Sequence, residues 1–267
     1  MFYHTLIIST LIFFNSCSES KKTVNNTENE IHKTEVYQNG SQILIEPKII
    51  ESNKTFSHSA WNVLLQKHVT TQGNVSYKGF KEDLKKINVY LNSLSEKIPQ
   101  ESWAKAEKLA YWINAYNAFT IKLIIDNYPV KSIKDIKNRW DIGFIKLGNK
   151  TFTLNDIEHK ILRKMGDPRI HFGIVCASVS CPKLQNTAFE ASTIEVQLDT
   201  ATKEFLADSS RNILSEKSIK ISKIFKWFSS DFKHDGSLID FLNKYSEITI
   251  SPNANKSYVA YDWTLNE

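Results

Sequence analysis

From Phe56 onward, apolar residues recur at the three- and four-residue spacing of amphipathic helices. The spacing predicts one helix from Phe56 and another from Phe80, the second ending at Pro99 because proline cannot continue a helix. The longest predicted helix runs from Glu101 to Asn127, and its centre is apolar on all sides, so we expect it to be buried. Shorter helices are predicted to begin at Asn155, Thr193 and Leu238.

Strands are predicted where the residues alternate or are strongly apolar, over Ile170–Cys176, Ile219–Phe225 and Tyr258–Trp263. In the first of these, period-two geometry puts Cys176 on the core face and His171 on the opposite face. Helices dominate, and the strands are short and lie late in the chain. The predicted fold class is therefore α+β, a predominantly helical single domain over residues 56–267 with a small, mostly antiparallel sheet.

Two amides interrupt the apolar centre of the longest predicted helix. Asn114 and Asn117 are three residues apart, so both are expected inside the core, where each amide must find hydrogen-bond partners. Such buried amides either clamp a neighbouring loop or line a pocket. We predict that both support a binding pocket.

The first 55 residues have a different character. Leu6 to Phe14 is a nine-residue apolar stretch, too short to span a membrane but typical of a signal-peptide core. The Ser16-Cys17 pair that follows resembles the lipobox of bacterial lipoproteins. This predicts a signal peptide over residues 1–16, a lipid on Cys17 and a flexible tether over residues 17–55. A plain secretory signal or a buried N-terminal strand remains the alternative.

A lipid anchor would place the protein in the cell envelope, on the outer membrane facing the periplasm or the exterior, with the membrane surface as its partner. Lys and Arg exceed Asp and Glu by 34 to 29 in 267 residues, a net charge of +5 that is too mild to indicate a nucleic-acid partner. The 15 Phe, 10 Tyr and 6 Trp exclude a disordered chain. No nucleotide or calcium motif is present, so no cofactor is predicted.

Chemistry-bearing residues are concentrated between Glu158 and Cys181. Cys181 follows a serine-rich turn and precedes Pro182, where a thiol can be exposed and positioned. A nearby His171 could accept its proton while Glu158 orients the imidazole, which is the arrangement of nucleophilic catalysis. Cys181, His171 and Glu158 are therefore the predicted catalytic residues.

Other interpretations of the same residues stay open. Glu158, His159 and His171 could ligate zinc with a cysteine, but their spacing fits no common zinc pattern, so no metal is predicted. Cys176 and Cys181 could form a disulfide or remain core thiols, because lipidation of Cys17 would leave an even pair in an oxidising compartment. Arg169 is a candidate for binding an anionic substrate or for pairing with a carboxylate, and Cys176 is a further candidate binding residue.

Four motifs follow one another in the middle of the chain: Trp112-Ile-Asn-Ala-Tyr-Asn117, Leu154-Asn-Asp-Ile-Glu-His159, Asp167-Pro-Arg-Ile-His-Phe172 and Ser180-Cys-Pro182. In this order they resemble the domain of unknown function family 547 over about residues 100–210, and the closing Tyr261 to Asn266 resembles the tail of its bacterial members. The family is named for its lack of a known activity. Its plant members can carry glutaredoxin-like domains, which implies thiol chemistry. A distant papain-like or transglutaminase-like fold is a further hypothesis.

The leading functional hypothesis is a cysteine-dependent hydrolase or acyltransferase that acts on an amide or peptide in the cell envelope. A non-catalytic binding or scaffolding module is the alternative from another class, in which the same polar residues form a buried structural network. A thiol-redox protein is the third hypothesis.

Overall fold

The structure is a computed structural model that describes residues 56–234 and 236–267. The predicted signal peptide, the lipid site at Cys17 and the tether lie outside these residues. The α-helices of the described part are α1 (Ser59–His68), α2 (Tyr77–Glu82), α3 (Leu84–Glu96), α4 (Lys105–Asn127), α5 (Ile170–Gly173), α6 (Ile194–Ala207), α7 (Ile224–Trp227) and α8 (Leu238–Tyr245). A π-helix over Asp156–Leu162 and three 3-10 turns, Ile133–Asp135, Arg163–Met165 and Asp231–Lys233, complete the helical elements of this part.

The strands form two small sheets. β1 (Ile145–Leu147) and β2 (Lys150–Phe152) make an antiparallel hairpin. The second sheet has the order β3–β4–β5, with β3 (Ile213–Leu214) antiparallel and β5 (Asn255–Tyr258) parallel to the central β4 (Ser218–Ile221). The α+β class is confirmed. Among the described helices, none is both long enough and apolar enough to cross a membrane.

The core is built around α4. Every residue from Leu109 to Ile121 is buried, which confirms that the centre of this helix has no solvent-facing side. α2, α3, α6 and the π-helix pack against it. A second core cluster is rich in phenylalanine and joins α6, β4, α7 and α8. Phe172 belongs to that second cluster, so the α5 segment connects the two cores.

The predicted strand over Ile170–Cys176 is wrong, because its first four residues form the helical turn α5. The physical reason lies just before it. The carboxylate of Asp167 accepts the backbone N–H of Arg169 at 3.0 Å, and Pro168 follows Asp167, which together make a helix start. As a result, Phe172 does not share a face with Ile170 as a strand would require.

The predicted helix from Phe80 is also interrupted, at Asp83 between α2 and α3. The carboxylate of Asp83 is bonded to Nε2 of the buried His68 at 2.8 Å, which fixes the chain to α1 at this point. α4 begins at Lys105 rather than Glu101, and the carboxylate of Glu107 accepts the backbone N–H of Ala104 at 2.8 Å. The helix from Leu238 to Tyr245 is confirmed.

Asn114 holds the chain before α6 against α4. Its Nδ2 donates to the carbonyl of the buried Phe189 at 2.7 Å, and the Phe189 N–H donates to its Oδ1 at 3.0 Å. We expect Asn114→Ala to lower the free energy of unfolding by about 2–4 kcal/mol, because two buried backbone groups lose their partners. Chemical denaturation measures the loss. Asn127→Ala at the exposed end of the same helix is the control, and a loss as small as in that control would contradict the clamping role.

Candidate functional site

A pocket of about 240 Å³ lies beside α4 and the π-helix. Most of its walls are aromatic or aliphatic, and a few polar side chains reach into it. Its lining residues are Tyr116, Trp140, Asn155, Glu158, His159, His171, Ile174, Val175, Cys176, Cys181, Pro182, Ile224, Trp227, Phe228, Tyr261 and Trp263. The predicted catalytic residues Cys181, His171 and Glu158 therefore line one pocket, together with Cys176.

Cys176 and Cys181 form a disulfide on the wall of this pocket. Two hydroxyls flank the sulfurs. Ser178 Oγ lies 3.1 Å from Cys176 Sγ and 3.3 Å from Cys181 Sγ, and the hydroxyl of Tyr261 lies at the same two distances. Burial raises the pKa of Tyr261 to about 12, so this hydroxyl keeps its proton at neutral pH and remains a donor.

The loop between the two cysteines is held from outside. Arg211 donates from Nε to the Cys181 carbonyl at 2.9 Å and from Nη2 to the Val179 carbonyl at 2.6 Å. The C-terminal segment pairs with the same loop, where the Val179 N–H donates to the Thr264 carbonyl at 2.8 Å. Ala177 at the start of the loop has a φ of 59°, in the left-handed region that costs an L-residue about 1–2 kcal/mol. The surrounding contacts keep this turn in place.

His171 is paired with Asp231. Its Nε2 lies 2.8 Å from Asp231 Oδ2, and its ring stacks on Phe228 with the centroids 4.0 Å apart. The guanidinium of Arg163 donates two hydrogen bonds of 2.7 Å to the same carboxylate. Burial acts to raise the pKa of Asp231, but the hydrogen bonds from Arg163 and His171 lower it by more. The net pKa lies well below its ordinary value, so Asp231 is a carboxylate at neutral pH.

Glu158 has a different partner from the predicted one. Its Oε2 accepts a hydrogen bond from the hydroxyl of Tyr116 at 3.0 Å, and the side chain bonded to His171 is Asp231 instead. Burial and the charge of Glu158 raise the pKa of Tyr116 well above its ordinary value, so the phenol stays protonated and donates. The predicted role of Glu158 as the orienting carboxylate therefore passes to Asp231.

The π-helix begins at a capping box formed by Thr153 and Asp156. Thr153 Oγ1 accepts the N–H of Asp156 at 3.0 Å, and Asp156 Oδ2 accepts the N–H of Thr153 at 2.9 Å, which is a reciprocal capping box. Asn155 takes no part in this capping box: its Nδ2 donates to Asp141 Oδ1 at 2.6 Å, and the residue lines the pocket. The capping box fixes where Glu158 and His159 emerge.

Of the remaining predicted residues, Asn117 supports the pocket and Arg169 lies elsewhere. Asn117 Nδ2 donates to the Gly173 carbonyl at 2.9 Å and its Oδ1 accepts the Val175 N–H at 3.0 Å, which fixes the segment that ends in Cys176. Asn114 clamps Phe189 as described above and does not line the pocket. Arg169 is bonded at 2.6–2.7 Å to three carboxylates, those of Asp167, Glu195 and Asp199. The candidate anion-binding role of Arg169 is therefore not supported, since its guanidinium is engaged by carboxylates of the protein.

Sequence reasoning missed Asp231 and the aromatic lining. Asp231 is 60 residues from His171 and lies in a segment without a recognisable motif, so no local signal pointed to it. Tyr261 and Trp263 belong to the C-terminal segment that resembles the tail of the family. That resemblance was the one sequence signal for them, and it did not indicate that they contact the cysteines. Over the residues that the structure describes, no three His, Cys, Asp or Glu side chains are grouped to hold a metal ion.

The fold and the pocket thus define an α+β protein in which a cysteine pair and an aspartate-paired histidine line one aromatic pocket. Residues 100–206 match the family described as protein of unknown function, DUF547. The resemblance predicted from the motifs is therefore confirmed. The segment contains His171 and both pocket cysteines, whereas Asp231 and Tyr261 follow it. No curated protein and no solved structure matches the chain, so the papain-like or transglutaminase-like hypothesis stays a prediction.

Asp231 makes the stability of the site dependent on pH. Because its pKa in the folded state lies below the unfolded value of about 3.9, its stabilising contribution is complete above that pH and declines as the pH falls below it. We expect Asp231→Asn to lower the free energy of unfolding by about 2 kcal/mol at pH 7. The difference from the unmodified protein should shrink below about pH 4.

Denaturant titrations between pH 7 and pH 3 measure this difference. Asp126→Asn removes a surface pair with Lys122 and is the matched control, with an expected loss of at most about 0.5 kcal/mol. A loss for Asp231→Asn that does not change with pH would contradict the ion-pair assignment.

Proposed function

We propose that this protein is an exported, lipid-anchored envelope protein whose domain is a cysteine-dependent hydrolase or acyltransferase acting on amide bonds. Cys181 is the nucleophile, His171 the base and Asp231 the residue that orients the base. The observation that carries the proposal is that Cys181 and a carboxylate-paired His171 line one pocket. The envelope location rests on the lipobox-like sequence at Cys17 alone.

The hydrogen bond to Asp231 sets the state of the imidazole. An ionised carboxylate can only accept, so Nε2 of His171 carries a proton, and in the neutral imidazole the lone pair is then on Nδ1. Nδ1 makes no hydrogen bond to any residue that the structure describes, and the ring lines the pocket. His171 is therefore equipped to take a proton from a group inside the pocket.

Cys181 is the better nucleophile of the two cysteines because its sulfur is surrounded by donors. The N–H of Cys176 points at Cys181 Sγ over 2.9 Å, and the hydroxyls of Ser178 and Tyr261 lie within 3.3 Å. Donors of this kind stabilise the negative charge of a thiolate. Cys176 Sγ has the two hydroxyls but no backbone donor among the described residues.

The reaction proceeds in two steps. His171 takes the thiol proton of Cys181, the thiolate attacks the amide carbon, and the C–N bond breaks as His171 returns the proton to the leaving amine. The product on the protein is a thioester. His171 then deprotonates water or an acceptor amine or alcohol, which attacks the thioester carbon, and Cys181 leaves as a thiolate that recovers its proton.

The disulfide must open before this chemistry can begin. Cys176 is partly exposed whereas Cys181 is buried, so a dithiol reductant reaches the sulfur of Cys176 first. Attack there forms a mixed disulfide with Cys176 and releases Cys181. The second thiol of the reductant then displaces Cys176, and the reductant leaves as a disulfide after giving two electrons and two protons to the protein.

A thiol-redox function is the second candidate, because the same disulfide lies on a pocket wall and one of its two cysteines is partly exposed. The two candidates differ in whether an acyl group becomes attached to a cysteine of the pocket. A redox protein exchanges the disulfide with a thiol partner and forms no thioester.

We expect Cys176→Ala to leave Cys181 as a free thiol without reductant. p-Nitrophenyl acetate should then acetylate Cys181, and intact-protein and peptide mass spectrometry locate the thioester. Adding His171→Ala should slow acetylation at pH 7 by about a hundredfold, because the base is lost. His234→Ala, which changes an exposed histidine outside the pocket, is the control and should change the rate little.

The outcomes separate the hypotheses. Cys181→Ala should abolish acetylation while the protein still unfolds cooperatively. Acetylation of Cys176 in that variant at the rate expected for Cys181 would contradict the choice of nucleophile. Disulfide exchange with a dithiol but no acetylation in any variant would favour the redox candidate, and the absence of both would favour the binding module.

A further inference from the structure

All six tryptophans lie in the described part of the chain, and among them Trp227 has the largest exposed surface, 46% of its maximum. α7 explains why it is exposed: Ile224 and Phe225 of the same short helix point into the second core, which leaves Trp227 facing outward at the pocket. An exposed tryptophan costs apolar burial that the fold could otherwise have gained. Its position next to the candidate site indicates a ligand contact.

Trp227 continues into two further rings, and we call these three the aromatic platform (Trp227, Tyr261 and Trp263). Trp227 lies 4.8 Å from Tyr261 and 5.8 Å from Trp263 between ring centroids, and Tyr261 lies 4.6 Å from Trp263. The platform therefore runs from the exposed face of Trp227 to Tyr261, whose hydroxyl touches the sulfurs of Cys176 and Cys181.

The π-helix and the residue before it supply the polar part of the lining, which we call the polar edge (Asn155, Glu158 and His159). Asn155 and Glu158 bring amide and carboxylate oxygens. Nδ1 of His159 lies 3.1 Å from Nη1 of Arg163, and because a guanidinium only donates, Nδ1 accepts and Nε2 holds the ring proton. The polar edge thus offers both acceptors and donors.

We propose that this pocket binds a saccharide ring of the substrate. The C–H face of a pyranose is weakly positive and stacks on the negative faces of aromatic rings, while its hydroxyls need closely spaced donors and acceptors around the ring. The aromatic platform and the polar edge provide these two surfaces in one pocket. The inference rests on the proposed function for the reaction and adds the substrate class, a saccharide that carries an amide.

Two other ligand classes fit the surroundings less well. Lys134 Nζ lies 5.7 Å from the ring centroid of Trp263, and Arg139 Cζ lies 5.6 Å from that of Trp140. Both rings thus already make cation–π contacts with side chains of the protein, and the charges of Lys134 and Arg139 would repel a cationic ligand. A purely apolar or aromatic ligand would leave the polar edge desolvated and without partners.

The size of the pocket limits what enters it. Its volume of about 240 Å³ lies below the roughly 300–1,000 Å³ of pockets for drug-sized ligands. One ring fits inside, and the exposed face of Trp227 is available to a neighbouring ring of the same chain.

Binding is measured on the oxidised full-length protein, in which the disulfide prevents acyl transfer. Tri-N-acetylchitotriose and maltotriose are the probes, and quenching or shift of tryptophan fluorescence is the readout. We expect saturable binding of at least one of them, weakened by about tenfold in Trp227→Ala and much less in Trp227→Phe, which keeps a ring. Trp103→Phe, which changes a tryptophan outside this pocket, is the control.

Glu158→Gln distinguishes the ligand classes, because a saccharide hydroxyl still finds an amide there whereas a cation loses its counter-charge. Choline and N-acetylphenylalanine amide are the comparison probes. Failure of both oligosaccharides to bind, or equal binding by Trp227→Ala and Trp103→Phe, would overturn the inference. Saccharide binding without acetylation of Cys181 would overturn the proposed function instead, so the two failures are distinguishable.

Discussion

α4 is buried on every side along its centre, and this burial decides how the two amides on it must behave. No water is available to Asn114 or Asn117, so each amide has to bond with backbone groups of the segments packed on the helix. Asn117 takes the Gly173 carbonyl and the Val175 N–H, which fixes the backbone one residue before Cys176. The position of the pocket wall is thus a consequence of satisfying a buried side chain.

The other half of the site depends on an ion pair between distant segments. Asp231 bonds Arg163 from the chain after the π-helix and His171 from α5. Removing the carboxylate would leave a partly buried guanidinium without its counter-charge, which costs more than an isolated surface pair contributes. The same interaction that stabilises the junction of the two cores also selects the tautomer of His171. A substitution of Asp231 would therefore change both the stability of the fold and the proposed chemistry.

The spacing of residues along the chain predicted the features that depend on interactions between residues close in sequence. The apolar centre of α4, the helix over Leu238–Tyr245 and the α+β class followed from periodicity, and the family followed from ordered motifs. The segment from Ile170 was predicted wrongly because the helix start at Asp167 and Pro168 outweighs the strand preference of the residues that follow. Asp231 could not be predicted, since its pairing with His171 arises only when segments 60 residues apart fold together.

The aromatic walls of the pocket have two opposing effects on the chemistry next to them. Excluding water strengthens the hydrogen bonds that Ser178 and Tyr261 make to the sulfurs, because the local dielectric is low. The same exclusion disfavours a thiolate unless those donors are present, so burial and donors must act together at Cys181. A ring held on Trp227 and Tyr261 would exclude more water at the moment of reaction. Substrate binding would then complete the environment in which the thiolate is stabilised. Tyr261 connects the two parts of the site, because its ring belongs to the stacking surface and its hydroxyl contacts the sulfur of the nucleophile.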